Sequence, residues 1–185
     1  IGTKQGFSIL SYSGSGSNGT FGHGLLETPE FVIVKCRNVS QNWAVQHSVY
    51  GPTKYTYLNS TNEAKTTGAS AFWNDTAPTS TTVSVGTDND TNASASSRTY
   101  IAYCWHSVPG LQKFGSYMNL SSSNASFVEL GFKPAVLIFK CVRNISSSSG
   151  AGDWIIKDTT RSPINNPDDG NTLVANVTNA EDSYY

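Results

Sequence analysis

Apolar residues along this chain fall into short runs of two kinds. "FVIVKC" (31–36) and "VLIFKC" (136–141) are continuous, the pattern of strands buried on both faces. "WAVQH" (43–47) and "RTYIAYCWH" (98–106) mix polar and apolar positions, with aromatics on both sides. All are β-branched or aromatic and end in Gly, Pro, Asn or Ser clusters, which is the signature of strands. Strands are predicted at about 7–12, 31–37, 42–47, 54–58, 81–86, 99–107, 113–117, 127–131, 135–142, 153–158 and 172–175. Only "NEAKTTGASAF" (62–72) has room for a helical turn, and its Thr-Thr-Gly weakens that. "SGSGSNG" (13–19), "DNDTNASASS" (88–97) and "SSSSGAG" (146–152) read as exposed loops.

The two continuous runs belong to one repeated phrase, "PEFVIVKCRN" (29–38) and "PAVLIFKCVRN" (134–144). Pro29 and Pro134, Lys35 and Lys140, and Cys36 and Cys141 each stand 105 positions apart, as do Ser11 and Ser116 and Tyr12 and Tyr117. Trp43 answers Trp154 at 111 positions, and Asn59-x-Thr61-Asn62 answers Asn176-x-Thr178-Asn179 at 117. Matches in sequence order at a slowly drifting offset signal a repeat, with loop insertions accounting for the drift. The expected organisation is a first unit over 1–108 and a second over 109–185. The second is incomplete at its C-terminal end, because counterparts of "TTVSVG" (81–86) and "RTYIAYCWH" would fall past position 185.

The predicted fold class is therefore all-β, with tandem antiparallel β-sandwich units of jelly-roll or lectin-like type and an internal duplication. A sandwich short of strands leaves unpaired backbone groups along an edge and an uncovered apolar face. The expected partners are accordingly other copies of the chain, or adjoining segments of a longer fibre, joined by β-strand pairing. "RTYIAYCWH" is the strand expected to complete a neighbour, and isolated 1–185 is expected to be oligomeric or poorly soluble.

Charged residues make up 14% and the net charge is −1. No stretch has the Lys/Arg density that phosphate contacts need, which argues against nucleic acid. No run of about 18 apolar residues exists, so no membrane span is predicted. Abundant Ser, Thr, Asn and Gly with 11% aromatics suits an extracellular β-protein or fibre component.

Catalytic groups are not assembled by any motif. The three histidines, His23, His47 and His106, sit in no nucleophile or metalloprotease signature. Glu27, Glu30, Glu63 and Glu129 show no pairing of the kind that flanks a glycosidic bond. No enzyme and no cofactor is expected. Asp88, Asp90 and Asn92 alternate as in a calcium loop, but Ala93 stands at the sixth position and Thr99 at the twelfth. Glycine and a bidentate Glu belong there, so the segment reads as a polar turn and no metal is expected. Cys36, Cys104 and Cys141 read as free thiols, with a Cys36–Cys141 disulfide left open.

Two kinds of surface site remain. Trp73 and Trp105 lie nearest to loops and are the candidates for stacking on a sugar, whereas Trp43 and Trp154 are assigned to the core. Asn-x-Ser/Thr occurs at Asn18, Asn38, Asn59, Asn74, Asn89, Asn92, Asn119, Asn124, Asn144 and Asn176. Chance predicts about 4 such triplets; the excess fits either N-glycans on an exposed surface or Asn-Ser/Thr turn chemistry reused in each repeat, and these asparagines are the N-glycosylation candidates. Loop positions Asn18, Asn89, Asn92 and Asn124 are expected to carry sugar ahead of Asn38 and Asn59.

In order, "GFSILSYSGSGSNGTFGHGL", "PEFVIVKCRNVSQNWAVQH", "YLNSTNEA", "FWNDTAPTSTTVSVG" and "TYIAYCW" resemble a domain family of tail-fibre-like virion proteins. Its carriers are bacteriophages of marine and fresh water, including those of cyanobacteria. "KFGSYMNLSSSNASFVELGFKPAVLIFK" and "DWIIKDTTRSPINNPDDGNTLVANVTNAED" look like the partner half. The resemblance implies a tandemly repeated β-sandwich on a virion appendage, with a structural and adhesive role in host-surface attachment. It carries over no catalytic residues and no defined ligand site, and a host-surface glycan is the further partner considered. The alternative is a subunit of an N-glycosylated cellular surface filament held together by strand exchange.

Overall fold

The computed structural model describes residues 3–66, 68–118, 127–143, 152–161, 171–178 and 182–183. Their regular structure is mostly strand, in several antiparallel sheets. The elements are β1 (Phe7–Ser13), β2 (Gly19–Gly22), β3 (Phe31–Cys36), β4 (Trp43–His47), β5 (Thr56–Tyr57), α1 (Ala69–Trp73), β6 (Thr82–Val85), β7 (Thr99–Trp105), β8 (Val136–Lys140), β9 (Trp154–Asp158), β10 (Asn171–Val174) and β11 (Asp182–Ser183). A five-stranded sheet runs β1-β7-β3-β4-β5, a four-stranded sheet β11-β10-β9-β8, and β2 pairs with β6.

The five-stranded sheet is built around β7, whose side chains alternate buried and half-buried along its length. Tyr100, Ala102 and Cys104 are fully buried and join Val32, Val34, Cys36 and Ala44 on one face. That face is covered by Phe21 of β2, Leu25, Phe72 and Trp73 of α1, and Val83 and Val85 of β6. Helix α1 is one turn and a half long, with left-handed residues at both ends, Gly68 at φ 76° and Asn74 at φ 51°. Its role is to aim Phe72 and Trp73 inward, and the Phe72 ring stacks on Tyr55 at 3.8 Å. Gly86 is required where β6 passes beneath it, since a Cβ there would lie 2.2 Å from the Ala71 carbonyl oxygen. The opposite face carries Phe7, Phe31, Ile33, Val45, Tyr103 and Trp105, and Trp154 of β9 packs over part of it.

Pairing registers repeat between the two larger sheets. In β3–β4, Phe31 pairs with His47, Ile33 with Val45 and Lys35 with Trp43. In β8–β9, Val136 pairs with Asp158, Ile138 with Ile156 and Lys140 with Trp154. Each second pair is the first displaced by 105 positions on one strand and 111 on the other. Ala44↔Tyr57 and Ile155↔Val174 continue this into the third strand, displaced by 111 and 117.

Side-chain contacts keep the same offsets. The Trp43 N–H donates to Asn59 Oδ1 at 3.0 Å, and the Trp154 N–H to Asn176 Oδ1 at 2.7 Å. Lys35 Nζ lies 5.6 Å from the Trp43 ring and Lys140 Nζ 5.7 Å from that of Trp154. Each ammonium also donates to the carbonyl two residues before its tryptophan, Gln41 or Gly152.

The structure departs from the sequence reading in four places. Residues 136–141 were expected to form a strand buried on both faces, but Val136, Leu137 and Ile138 are 56%, 45% and 58% exposed. The strand has β9 on one side, and no described residue pairs along the other. Among the described residues of 113–117 and 127–131 there is no strand. Within its own sheet β1 pairs only with β7, and among the described residues no β7-like strand stands beside β8 for the 113–117 segment to join. Residues 90–93, expected in an exposed loop, are buried. Finally, β2 emerges from the Gly/Ser stretch read as a loop, its Phe21 buried in the core.

Candidate functional site

The open edge of β8 is the feature that the rest of the chain leaves unexplained. Val-Leu-Ile-Phe forms a strand because β-branched and large apolar side chains suit a pleated, packed surface. Yet three of the four are exposed, against 1% for Val32 and 8% for Ile33 at the matching positions of β3. Edge strands ordinarily carry a guarding lysine, a proline or a bulge. Pairing with β9 is continuous over all five residues, and the strand contains no proline. Its one charge does not guard the edge. Lys140 Nζ is turned toward Trp154 and donates to the carbonyls of Gly152 and Ser60. Burial there lowers its pKa from 10.5 to about 8, opposed by Asp153 and Cys141. The edge is apolar and unguarded.

A second feature is an open groove of about 500 Å³ at one end of the five-stranded sheet, lined by Lys4, Glu27, Thr28, Glu30, His106 and Ser107 among others. It brings together Glu27 and Glu30, which sequence spacing had not paired. Glu30 is committed to the backbone, since its Oε2 accepts the Ser107 N–H. His106 is buried, and its Nδ1 faces the Ser107 carbonyl at 2.8 Å. Glu30 and His106 Nδ1 are thus engaged with the groove's own walls, whereas His106 Nε2 has no hydrogen-bond partner among the described residues.

His23 is a structural residue. Its Nδ1 accepts the Leu25 N–H at 3.1 Å, and its Nε2 lies 3.1 Å from the Thr79 carbonyl, so the neutral Nε2–H form satisfies both. Burial lowers its pKa from 6.5, and burial likewise lowers that of His47. An unfolded chain therefore binds more protons than the folded one just below pH 6.5, and stability should fall as pH drops through that value. Urea midpoints taken between pH 7.5 and 5.5 check this; a flat or rising series would contradict it.

The sugar-stacking candidates separate. Trp73 is fully buried, so neither face of its indole is open to a sugar. Trp105 is half-buried on the partly covered sheet face, stacked on Phe7 at 4.8 Å and on Tyr103 at 6.1 Å. Of the residues assigned to the core, Trp154 is buried and Trp43 half-buried.

The sequon asparagines separate too. Asn18, Asn38, Asn59 and Asn89 are exposed, Asn74 and Asn176 half-buried, and Asn92 buried. Asn119, Asn124 and Asn144 lie outside the described residues. Expecting Asn92 to be an early acceptor of sugar does not survive its geometry. Its Nδ2 donates to the carbonyls of Ser17 and Gly86 at 2.7 and 2.8 Å, and its Oδ1 accepts the Ser15 N–H at 2.9 Å. The side chain ties the β1–β2 loop to the 87–93 turn. In that turn the Asp88 carboxylate accepts the Asp90 N–H and Asp90 accepts the Asn42 N–H. Among the described residues no group of three His, Cys, Asp or Glu is placed to hold a metal.

Cys36 and Cys104 are buried, Cys141 is exposed, and all three are free thiols. Burial pushes the Cys104 thiol up to about 12, which suppresses its thiolate. A thiol reagent should label Cys141 in the native protein and the other two only after denaturation. Fast native labelling of Cys104 would contradict the packing of β7.

Among the described residues, no helix is long and apolar enough to cross a membrane. A family model described as Domain of unknown function (DUF7483) matches residues 1–184. The chain belongs to that family. No curated protein and no solved structure matches it.

Proposed function

We propose that this chain is a non-catalytic, structural and adhesive segment of an extracellular fibre, a virion tail fibre contributing to host-surface attachment. The observation that carries the proposal is the open, apolar edge of β8, a strand that pairs with β9 as the fully paired β3 pairs with β4. Matching registers at offsets of 105, 111 and 117 support an internal duplication, with sandwich-like units over 1–108 and 109–185. A unit that presents an unfinished sheet joins its neighbour head to tail, and such contacts generate filaments unless they close into a ring. Low charge and a surface rich in Ser, Thr and Asn fit an extracellular site. The half-open aromatic row around Trp105 is the place where a host glycan would stack.

A second reading, a glycosylated filament of a cell surface, is favoured by the exposed sequons Asn18, Asn38, Asn59 and Asn89. Immunoelectron microscopy with antibody against the folded chain separates the two. Label along the fibres of phage particles is expected. Label on host-cell filaments, with sugar found on those asparagines by mass spectrometry, would support the second reading. Label on neither would contradict both.

A further inference from the structure

We infer that the free edge of β8 binds an antiparallel strand of the β7 type, in the register that β7 takes on β3. The inference rests on the fibre reading above and specifies the contact that reading requires. Three observations lead to it.

First, β8 reproduces β3 pair by pair on its covered side. Ile33 pairs with Val45 and Ile138 with Ile156, and Lys35 with Trp43 as Lys140 with Trp154. On its other side β3 holds β7 over six consecutive pairs, from Phe31↔Trp105 to Cys36↔Tyr100. The matching side of β8 has no described partner. This differs from the free edge of β1, which is an outermost strand in the complete five-stranded sheet. Among the described residues, β8 has at a sheet edge the pairing pattern that β3 has in a sheet interior.

Second, the β3–β7 register translates into a specific alignment. With the 105-residue offset, Val136 lies opposite the donor position of Trp105, Leu137 opposite Cys104, Ile138 opposite Tyr103 and Phe139 opposite Ala102. The donor then sets large aromatics beside Val136 and Ile138 and small residues beside Leu137 and Phe139. That division is what β7 provides for β3, where Ala102 and Cys104 are fully buried beside Val32 and Val34. Side chains directly opposite on antiparallel strands are the contacts that stabilise a sheet. A register slip of one residue would put every aromatic on the wrong face.

Third, the edge is built to accept a strand. Val136, Leu137 and Ile138 are exposed, Lys140 is turned away toward carbonyl oxygens, and no proline or bulge interrupts β8. A folded copy cannot lend its own β7, because β1 and β3 occupy both edges of that strand. The donor is therefore a β7-type segment other than the paired β7 described here.

The register is read by cross-linking. The full chain carrying Cys141→Ser and Leu137→Cys is mixed with a synthetic peptide of residues 98–108, whose only thiol is that of Cys104. Directly opposed residues stand about 4.5–5.5 Å apart at Cα, within disulfide range. With the peptide thiol supplied as its mixed disulfide with 5-thio-2-nitrobenzoate, exchange releases thionitrobenzoate and is expected to be at least ten-fold faster at Leu137→Cys than at Ile138→Cys, which points to the other face. A Cys104→Ser peptide should slow amide exchange over 136–140 and leave 7–13 unchanged. Equal cross-linking at both positions, or no capture with exchange unaltered, would overturn the inference. Circular dichroism of both variants confirms folding, which these exposed positions should tolerate. Labelled fibres without peptide capture would remove this inference alone. Peptide capture without fibres in microscopy would remove the fibre reading and leave the strand site standing.

Discussion

Replacing Trp73 with Ala is expected to cost about 3–5 kcal/mol of unfolding free energy, the range for truncating a large buried aromatic. Trp73 is fully buried, and its cluster spans β2, α1, β6 and the inner face of the five-stranded sheet. The loss combines removed apolar burial with a cavity that the surroundings close only in part. Collapse is hindered because α1 is pinned to β6, with the Gly86 N–H donating to the Phe72 carbonyl at 3.0 Å. Trp73 Nε1 has no hydrogen-bond partner among the described residues, so Trp73→Phe forfeits no bond and should cost less than half as much. Urea denaturation followed by circular dichroism measures both. A loss below about 1 kcal/mol for Trp73→Ala would mean that α1 does not cover the sheet as described.

Ile33→Ala and Ile138→Ala make the second large effect, and its size lies in their difference. Both residues occupy the third position of the repeated apolar run. Ile33 is 8% exposed and sits between β4 and β7, whereas Ile138 is 58% exposed at an edge. Truncating Ile33 should cost about 2–5 kcal/mol. Truncating Ile138 in the isolated chain should stay within about 0.5 kcal/mol, as for surface positions generally. When the β8 edge is covered, Ile138 becomes an interior residue and its cost should rise toward that of Ile33. Equal losses in the isolated chain would show that β8 is already covered.

Much of the fold was legible in the sequence because each long strand advertises itself. The runs 31–36, 43–47 and 99–105 are β-branched or aromatic with sharp polar boundaries, and all three form strands close to the expected limits. Short or glycine-bearing elements were not legible. Strand β2 is Gly-Thr-Phe-Gly, and only its pairing with β6 and the burial of Phe21 make it a strand. Helix α1 was half seen, since "ASAFW" is too short for helical periodicity to register, and tertiary packing of Phe72 and Trp73 holds it.

The 88–97 segment misled for a different reason. Its polar composition resembles a solvated loop, yet Asp90 and Asn92 are buried because their side chains bond backbone groups of distant loops. The exposed face of β8 was illegible for the most instructive reason. Burial depends on which neighbour is present, and an apolar run records the environment for which it is suited, whether or not that neighbour is in place.

Hydrogen exchange of the isolated chain compared with the chain in its fibre tests the central claim most directly. In the isolated chain, amides of 31–36 should exchange slowly, while the outward-facing amides of 136–140 exchange fast. In the fibre both segments should be slow, because a neighbouring strand then pairs with β8. Fast exchange over 136–140 in the fibre, or equal protection of the two segments in the isolated chain, would contradict an edge that awaits its partner.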